Sequence, residues 1–413
     1  VDSLWIGNLL GANALGAVAV SSAIIFTMLS FVIGLNNATL TILSQQVGQN
    51  NTEGLKKYLN AFVVVLTIFA LIFSIAGYVF SEQMLELLGT PSDQLPLAKN
   101  YLQITFLGIL FLFGYNFIST VLRAIGDSKS PLRFVLIAVL LNTFLDPLFI
   151  SGFKLGIEGA AIATILSQGL AFVYGMFYIL RNKLVPFQIP YLPKLSEVKL
   201  ILNLGIPAGL QMSVISAGSA AIMSVVTMFG SAVVGGFGAA QRIDSISMLP
   251  AHALGTAVNS MAGQNIGKQN WQRVHQIAKY GLIYNLAIMS FIGLIVFFFA
   301  EYLVMMFIRE QASVDFATTY LKIMAFCFPL LGINFILNGV VRASGAMYQV
   351  LILNIISFWV LRYPLTFFFA KLLGDIGIAV GHGVSFLISS ILAAGYYKFG
   401  KWKEKELFQT RSK

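Results

Sequence analysis

Apolar residues run along almost the whole chain in long blocks, which short polar or Gly/Pro-rich segments separate. A block of about 20 residues crosses roughly 30 Å of hydrocarbon when it is helical. The other structure that satisfies the backbone in lipid is a closed β-barrel, whose strands are much shorter than these blocks. The pattern therefore predicts transmembrane helices near residues 14–46, 57–80, 95–122, 131–151, 157–180, 200–228, 233–264, 273–300, 315–341, 348–371 and 377–400.

The second half of the chain repeats the first at an offset of 219 residues. Five residues of the first copy recur in the second without a gap, namely Gly11, Gly16, Gln45, Gly48 and Asn51 as Gly230, Gly235, Gln264, Gly267 and Asn270. Farther along, Tyr101, Arg123 and Gly126 recur as Tyr320, Arg342 and Gly345. Such a period indicates two copies of one assembly.

Counting spans in each copy predicts the architecture. Residues 1–10 correspond to the end of a span in the second copy, so we expect most of the first transmembrane helix to be missing from this sequence. The predicted fold is an all-α integral membrane protein with twelve transmembrane helices in two pseudo-symmetric six-helix bundles. We expect an N-terminal lobe over 1–190, a C-terminal lobe over 191–400 and a basic tail over 401–413, with a stiff Pro-rich linker between the lobes.

Composition agrees with this class and excludes others. The chain is 58% hydrophobic and 10% charged, with a mean hydropathy of +0.84, whereas a soluble domain has about 25% charged residues. A single cysteine rules out a disulfide framework. The sequence has no Gly-Lys-Ser/Thr phosphate loop, so ATP hydrolysis is not expected, and no cofactor is predicted.

Lysine and arginine are concentrated in alternate loops. The loops after even-numbered spans and the C-terminal tail hold nineteen of them, and the opposite loops hold five. This bias predicts a multi-pass protein of the cell (inner) membrane with both termini in the cytoplasm. Because each copy has an even number of spans, the copies run parallel. The basic residues form no continuous face, so nucleic acid is not an expected partner.

Five charged residues lie inside predicted spans, where each is costly and points to function. Two acids and no base fall in the first half, and one acid with two arginines falls in the second; the five are Asp2, Asp146, Asp244, Arg242 and Arg362. In the second half we predict a structural ion pair of Asp244 with either arginine. In the first half two unpaired carboxylates predict a proton-binding site. The alternative is that each acid faces a water-filled vestibule and stays ionised.

Polar residues near Asp146 extend this candidate site. Asn142 lies one helical turn before Asp146 and shares its face, and Pro147 interrupts the backbone hydrogen bonding there. We expect these groups to converge with three polar residues of neighbouring spans, Tyr115, Asn116 and Thr164. Soft apolar side chains suit varied ligands, and four of them either line a cavity or pack in the core: Phe26, Met28, Met212 and Met261.

Several segments together resemble the MATE (multidrug and toxic compound extrusion) transporters, and most of all their DinF-like branch. The similarity lies in residues 1–7 (VDSLWIG), 48–50 (GQN), 122–127 (LRAIGD), 142–147 (NTFLDP) and 263–267 (GQNIG), in the family's order. The resemblance covers essentially the whole chain. It implies two six-helix lobes around a central cleft, which export lipophilic, often cationic drugs against an inward ion flow. The expected partners are such drugs and the lipid bilayer, and the expected state is a monomer.

The resemblance also assigns roles. It implies that Asp2 is the protonated coupling residue, with Asp146 in the same lobe. Many related transporters have a glutamate where this chain has Ile215. That difference favours protons as the coupling ion, without excluding sodium at the first-lobe acids.

Two other functions remain open at this stage. A flippase for lipid-linked sugars shares the duplicated plan, but it would need cavity cations to hold a pyrophosphate, and the first half lacks them. An intramembrane hydrolase would use two aspartates as a catalytic dyad, which requires a close and fixed geometry.

Overall fold

The computed structural model describes residues 2–405, 407 and 408, and these residues fold into α-helices joined by short turns. Val1, Glu406 and 409–413, which include the end of the predicted basic tail, lie outside the described residues. The α-helices are α1 Asp2–Leu10, α2 Ala12–Gly48, α3 Thr52–Leu87, α4 Leu95–Leu107, α5 Ile109–Ala124, α6 Lys129–Pro147, α7 Gly156–Arg181, α8 Leu195–Val226, α9 Ser231–Ser247, α10 Leu249–Gly267, α11 Trp271–Met305, α12 Gln311–Ala343, α13 Met347–Ile355, α14 Tyr363–Leu373 and α15 Ile376–Phe399.

Most predicted spans are present as helices of membrane-crossing length. Among the described residues, nine helical segments are long and apolar enough to cross a bilayer, and α4 with α5 makes a tenth that bends by 50° at Gly108. The all-helical membrane class is therefore confirmed. The predicted span 233–264 is instead divided into α9 and α10, because Pro250 in the first turn of α10 cannot donate a backbone hydrogen bond to the preceding turn.

The chain forms two compact units, Val1–Ile206 and Pro207–Lys413, which we call the first and second lobes. The division lies inside α8, whereas the sequence placed it after residue 190. The connection between α7 and α8 belongs to the first lobe because it is bound to α3. The Asn60 side-chain amide donates to the Tyr191 carbonyl, and the Tyr191 N–H donates to the Asn60 Oδ1, both at 2.9 Å.

In each lobe a glycine with positive φ breaks the helix at the same repeat position. Gly11 separates α1 from α2 with φ 85° and ψ −175°, and its repeat partner Gly230 precedes α9 with φ 89° and ψ 177°. A side chain at either position would be strongly disfavoured. The break separates α1 from α2, and α1 packs on α2, α6 and α7.

A π-helical turn widens one helix in each lobe. It covers Leu148–Gly152 directly after α6 in the first lobe and Ile356–Arg362 between α13 and α14 in the second. A proline stands beside each turn, Pro147 and Pro364 respectively. Wide turns of this kind are frequent at functional sites. In both lobes the turn therefore marks the position where the helix backbone is least regular.

The chain after α15 packs against the second lobe. A 3₁₀ turn over Lys401–Glu404 buries the Trp402 side chain completely. The indole N–H donates to the Tyr397 carbonyl at 2.7 Å, and the ring meets Trp271 edge to face. This turn of the tail is thus part of the folded lobe.

Candidate functional site

The two acids of the first half are in contact. Asp146 occupies the last turn of α6 and is fully buried, and Asp2 lies in the first turn of α1. The two carboxyl groups lie within hydrogen-bonding distance of each other. Because an ionised carboxylate has no donor, the two groups form a hydrogen bond only when one of them carries a proton.

Two of the predicted neighbours complete the cluster. The Thr164 hydroxyl of α7 donates to Asp2 Oδ2 at 2.7 Å. The Asn142 amide donates to Asp146 Oδ1 at 3.0 Å and to the Thr164 hydroxyl at 3.2 Å. Helices α1, α6 and α7 therefore meet through one connected set of hydrogen bonds. We call Asp2, Asn142, Asp146 and Thr164 the acid cluster.

The acid cluster contains no balancing base. Among the described residues, the nitrogens of Lys, Arg and His side chains all lie more than 4.0 Å from both carboxylates. Within the described chain, Asp146 Oδ2 is buried and accepts no hydrogen bond from a fixed donor. Two adjacent acids without a cation cannot both ionise at low cost. The cluster is therefore suited to hold a proton, and its oxygen-rich ligand set is also compatible with a small monovalent cation.

A further residue of this site was missed from the sequence. Tyr101 of α4 is buried, with 6% of its surface exposed, and lies close enough to Asp2 and Asp146 to interact with both charges. The repeat held the signal, because Tyr101 recurs as Tyr320. A polar residue that occurs inside a span in both copies is therefore a sequence signal for a site residue.

Two predicted members do not join the acid cluster. The Asn116 amide donates to the Leu112 carbonyl of its own helix at 2.8 Å. The Tyr115 side chain lies near Arg123, farther along α5. Each is bound or directed along α5, so the expected convergence holds for Asn142 and Thr164 but does not extend to α5.

The four soft apolar residues differ in exposure. Met28 is only 6% exposed and packs in the core of the first lobe, so it is not available to a ligand. Phe26 and Met261 are 45% and 47% exposed, and Met212 is partly buried. For these three a role in lining a cavity stays a prediction.

The predicted ion pair in the second lobe is wrong. Within the described chain the side-chain salt bridges are Lys56 with Glu53 and Lys99 with Glu82, and neither arginine lies within 4.0 Å of Asp244. Residues two apart on a helix do not face each other, and the exposed Arg242 instead stacks 5.9 Å from the Phe307 ring centre.

The other arginine, Arg362, packs between two phenylalanine rings. The Arg362 guanidinium lies 3.8 Å from the Phe358 ring centre and 4.3 Å from that of Phe386, and its Nε donates to the Ser385 hydroxyl at 3.3 Å. Cation–π contact thus replaces the carboxylate that the sequence led us to expect. Asp244 has the Tyr320 hydroxyl as its hydrogen-bond donor instead.

The profile of the MatE family matches residues 1–148 and 207–368, which together are most of the chain. The chain belongs to the MatE family. A relative at 61% identity over 408 residues is the "probable multidrug resistance protein YpnP" of Bacillus subtilis, with 99% of this chain and 92% of that protein aligned. The "multidrug export protein MepA" of Staphylococcus aureus is 28% identical, over 86% of this chain and 80% of its own length.

Solved structures of the same family share the fold. The MATE transporter VcmN of Vibrio cholerae in its bent form matches with a TM-score of 0.93 at 24% identity, over 99% of this chain and 93% of that one. A MATE transporter in an outward-facing conformation matches with a TM-score of 0.92 at 20% identity, over 98% and 92% of the two chains. The relatives and neighbours are transporters, and the chain is a membrane transporter rather than an enzyme.

Proposed function

We propose that this chain exports lipophilic and cationic compounds in exchange for protons, by alternating access, with Asp2 and Asp146 as the proton site. The contact between two carboxylates that no basic side chain of the described residues neutralises carries the proposal. The names of the relatives support the substrate class, since they are multidrug resistance and export proteins. The distribution of lysine and arginine supports a place in the cell membrane with both termini in the cytoplasm.

The acid cluster also supplies a way to move the protein. Asp2 is on α1, which the Gly11 break separates from α2, and Thr164 and Asp146 connect Asp2 to α7 and α6. Protonation removes a charge from this junction and changes how α1 packs. A ligand cation near the ionised acids has the opposite effect, because its charge stabilises the carboxylate. Proton and drug therefore bias the same element in opposite directions, as exchange requires.

The test is transport by purified protein in liposomes under an imposed pH gradient or, separately, an imposed sodium gradient. We expect the pH gradient to drive accumulation of a cationic drug in the wild type, and Asp2→Asn to abolish it because an amide has the same shape but cannot exchange a proton. Asp244→Asn is the matched control: it changes one intramembrane acid of the second lobe in the same way, and transport persists.

Two outcomes contradict the proposal. Accumulation by the Asp2→Asn protein under a pH gradient would remove the acid cluster from coupling. Accumulation that only the sodium gradient drives would leave the site in place but assign sodium as the coupling ion. Size-exclusion profiles of all variants show whether a loss of transport reflects unfolding.

A further inference from the structure

A cavity of about 300 Å³ opens at one end of the second lobe. It lies between the first turns of α9, α12 and α15, and its lining includes Val233, Ala312, Phe316, Ile376 and Ala379. Each of these helices begins after an odd-numbered predicted span, so all three starts are on the same side of the membrane. The cavity is contained within one lobe and is separate from the acid cluster of the first.

Its walls are apolar and its polar groups are mainly acidic. Asp315 and Asp375 both line it. Asp315 accepts a hydrogen bond from the Gln311 amide at 2.8 Å, and Asp375 accepts one from the N–H of Ile376 at 2.8 Å. Among the described residues, neither acid has a Lys, Arg or His nitrogen within 4.0 Å. The lining therefore carries two negative charges that no neighbouring base neutralises.

Tyr320 connects the cavity to a buried acid. Tyr320 lines the cavity although only 3% of its surface is exposed, and its hydroxyl donates to Asp244. In the described structure the Oδ1 of Asp244 is buried and accepts no hydrogen bond. Arg362 also lies near the Tyr320 hydroxyl, and the buried His382 ring packs 6.0 Å from the tyrosine ring. The charged side chains that line the cavity itself are Asp315 and Asp375.

We propose that this cavity binds a small organic cation, an amine or quaternary ammonium with an apolar body, at a site distinct from the acid cluster. Small-molecule sites have this form: a concave, mostly apolar space with few polar groups that fix orientation, beginning at about 300 Å³. The carboxylates of Asp315 and Asp375 attract the charge, and the Phe316 ring and aliphatic walls pack on the body. Two carboxylates alone are too few for Ca²⁺, which takes six to eight oxygens, and no group of three or more metal-binding side chains occurs among the described residues.

Cation binding at this cavity does not depend on the proposed drug/proton exchange. A role for the bound cation in transport does rest on that proposed function. In the orientation that the lysine and arginine distribution supports, the cavity lies on the exterior side of the membrane. Equilibrium binding to protein whose acid cluster is neutralised therefore tests this site and leaves the coupling proposal untouched.

The probe is a fluorescent dimethylaminostyryl-methylpyridinium cation, titrated in detergent against the Asp2→Asn/Asp146→Asn protein. We expect saturable binding, which the added pair Asp315→Asn/Asp375→Asn weakens about threefold to tenfold, since Asp315 is exposed and Asp375 is half-buried and water screens part of their attraction for the cation. Asparagine keeps the hydrogen-bonding shape at both positions. The matched control is Glu301→Gln, which removes an exposed charge near the end of α11 in the same lobe and leaves the dissociation constant within about twofold.

A second variant tests the space rather than the charge. Ala312→Phe, at an exposed position of the lining, narrows the cavity without altering the core and is expected to weaken binding by a similar factor. Absence of saturable binding in the parent protein would overturn the proposal. So would a dissociation constant that neither the charge variants nor Ala312→Phe changes.

Discussion

The two lobes share their helices but not their charges. The first has Asp2 and Asp146 in contact beside Tyr101. At the repeat position of Asp2 the second has Ala221, and it holds Arg362 between two phenylalanine rings. The tyrosine is kept in both copies, whereas the titratable groups around it have diverged. The two copies of the scaffold have thus diverged in charge: one carries a pair of adjacent acids, and the other keeps the tyrosine without that pair.

Packing explains part of the divergence. An added Cβ at Gly108 would overlap the Ile165 side chain, so the first lobe combines glycine at this position with a large residue on the facing helix. At the repeat positions the second lobe has Cys327 and, in place of Thr164, Gly383, whose added Cβ would lie 2.8 Å from the cysteine sulfur. Because the cysteine sulfur fills this space, the second lobe has no room for a threonine at position 383. In the first lobe the corresponding Thr164 hydroxyl donates to Asp2.

The largest expected difference between the lobes is in the pH dependence of drug binding. If the acid cluster binds drug and proton in competition, affinity falls as pH falls, by up to about tenfold per pH unit for one displaced proton. Asp2→Asn/Asp146→Asn should flatten this dependence, and Asp244→Asn should leave it unchanged. The measurement is equilibrium binding of a fluorescent cationic drug across pH. An equally steep curve for the double variant would sink direct competition even if transport were proton-driven.

The next effect concerns the crossing at Gly108. Gly108→Cys places in the first lobe the side chain of Cys327, but without the glycine that faces it in the second lobe. Overpacking against Ile165 should lower the free energy of unfolding by about 3 kcal/mol. Gly238→Ala in α9 is the control, since an added Cβ there meets no atom within 4 Å. The two variants are compared by the fraction of protein that stays in the monodisperse size-exclusion peak after heating. Equal heat resistance would show that the α4–α5 bend absorbs the extra atoms.

A smaller effect is expected at Arg362. Arg362→Ala empties the space between Phe358 and Phe386 and should cost about 2 kcal/mol. Arg362→Met keeps most of the volume without the charge and should recover at least half of that loss. The same heating assay measures both. If methionine is as damaging as alanine, the charge itself is required, and the pairing with an acid would need to be reconsidered.

The smallest effect compares Asp127 with its repeat partner Ala346. Partial burial raises the pKa of Asp127, but hydrogen bonds from the Ser130 hydroxyl and from the N–H groups of Ser130 and Lys129 outweigh it, so the pKa lies below its usual value. A carboxyl whose folded pKa is lowered adds stability above its unfolded pKa of about 3.9, and that stability is lost as pH falls through the folded pKa. Asp127→Ala should cost about 1 kcal/mol at neutral pH and less below pH ~4. If Asp127→Ala destabilised the protein equally at acidic and neutral pH, the substitution would act through lost packing and not through the lost charge.

The sequence predicted the spans well because length and hydropathy decide them locally. It also predicted correctly that Asn142 lies beside Asp146, since residues four apart share a helix face. It failed where tertiary contact decides. The partners of Arg362 come from a π-helical turn and from α15, and no local pattern indicates that aromatic rings rather than Asp244 would surround it. Tyr101 was missed because one polar residue in an apolar block has no period of its own.

The buried Trp402 determines where the chain can be cut or extended in the laboratory. A truncation after Phe399 would remove a ring that contacts Trp271 and stacks on Tyr397, and would leave an apolar socket open to the solvent. Leu407 contacts the turn at Gly345, so a fusion joined immediately after Lys405 would displace it. Purification tags and fluorescent reporters on this side are therefore best attached beyond residue 408, with the packed turn left intact.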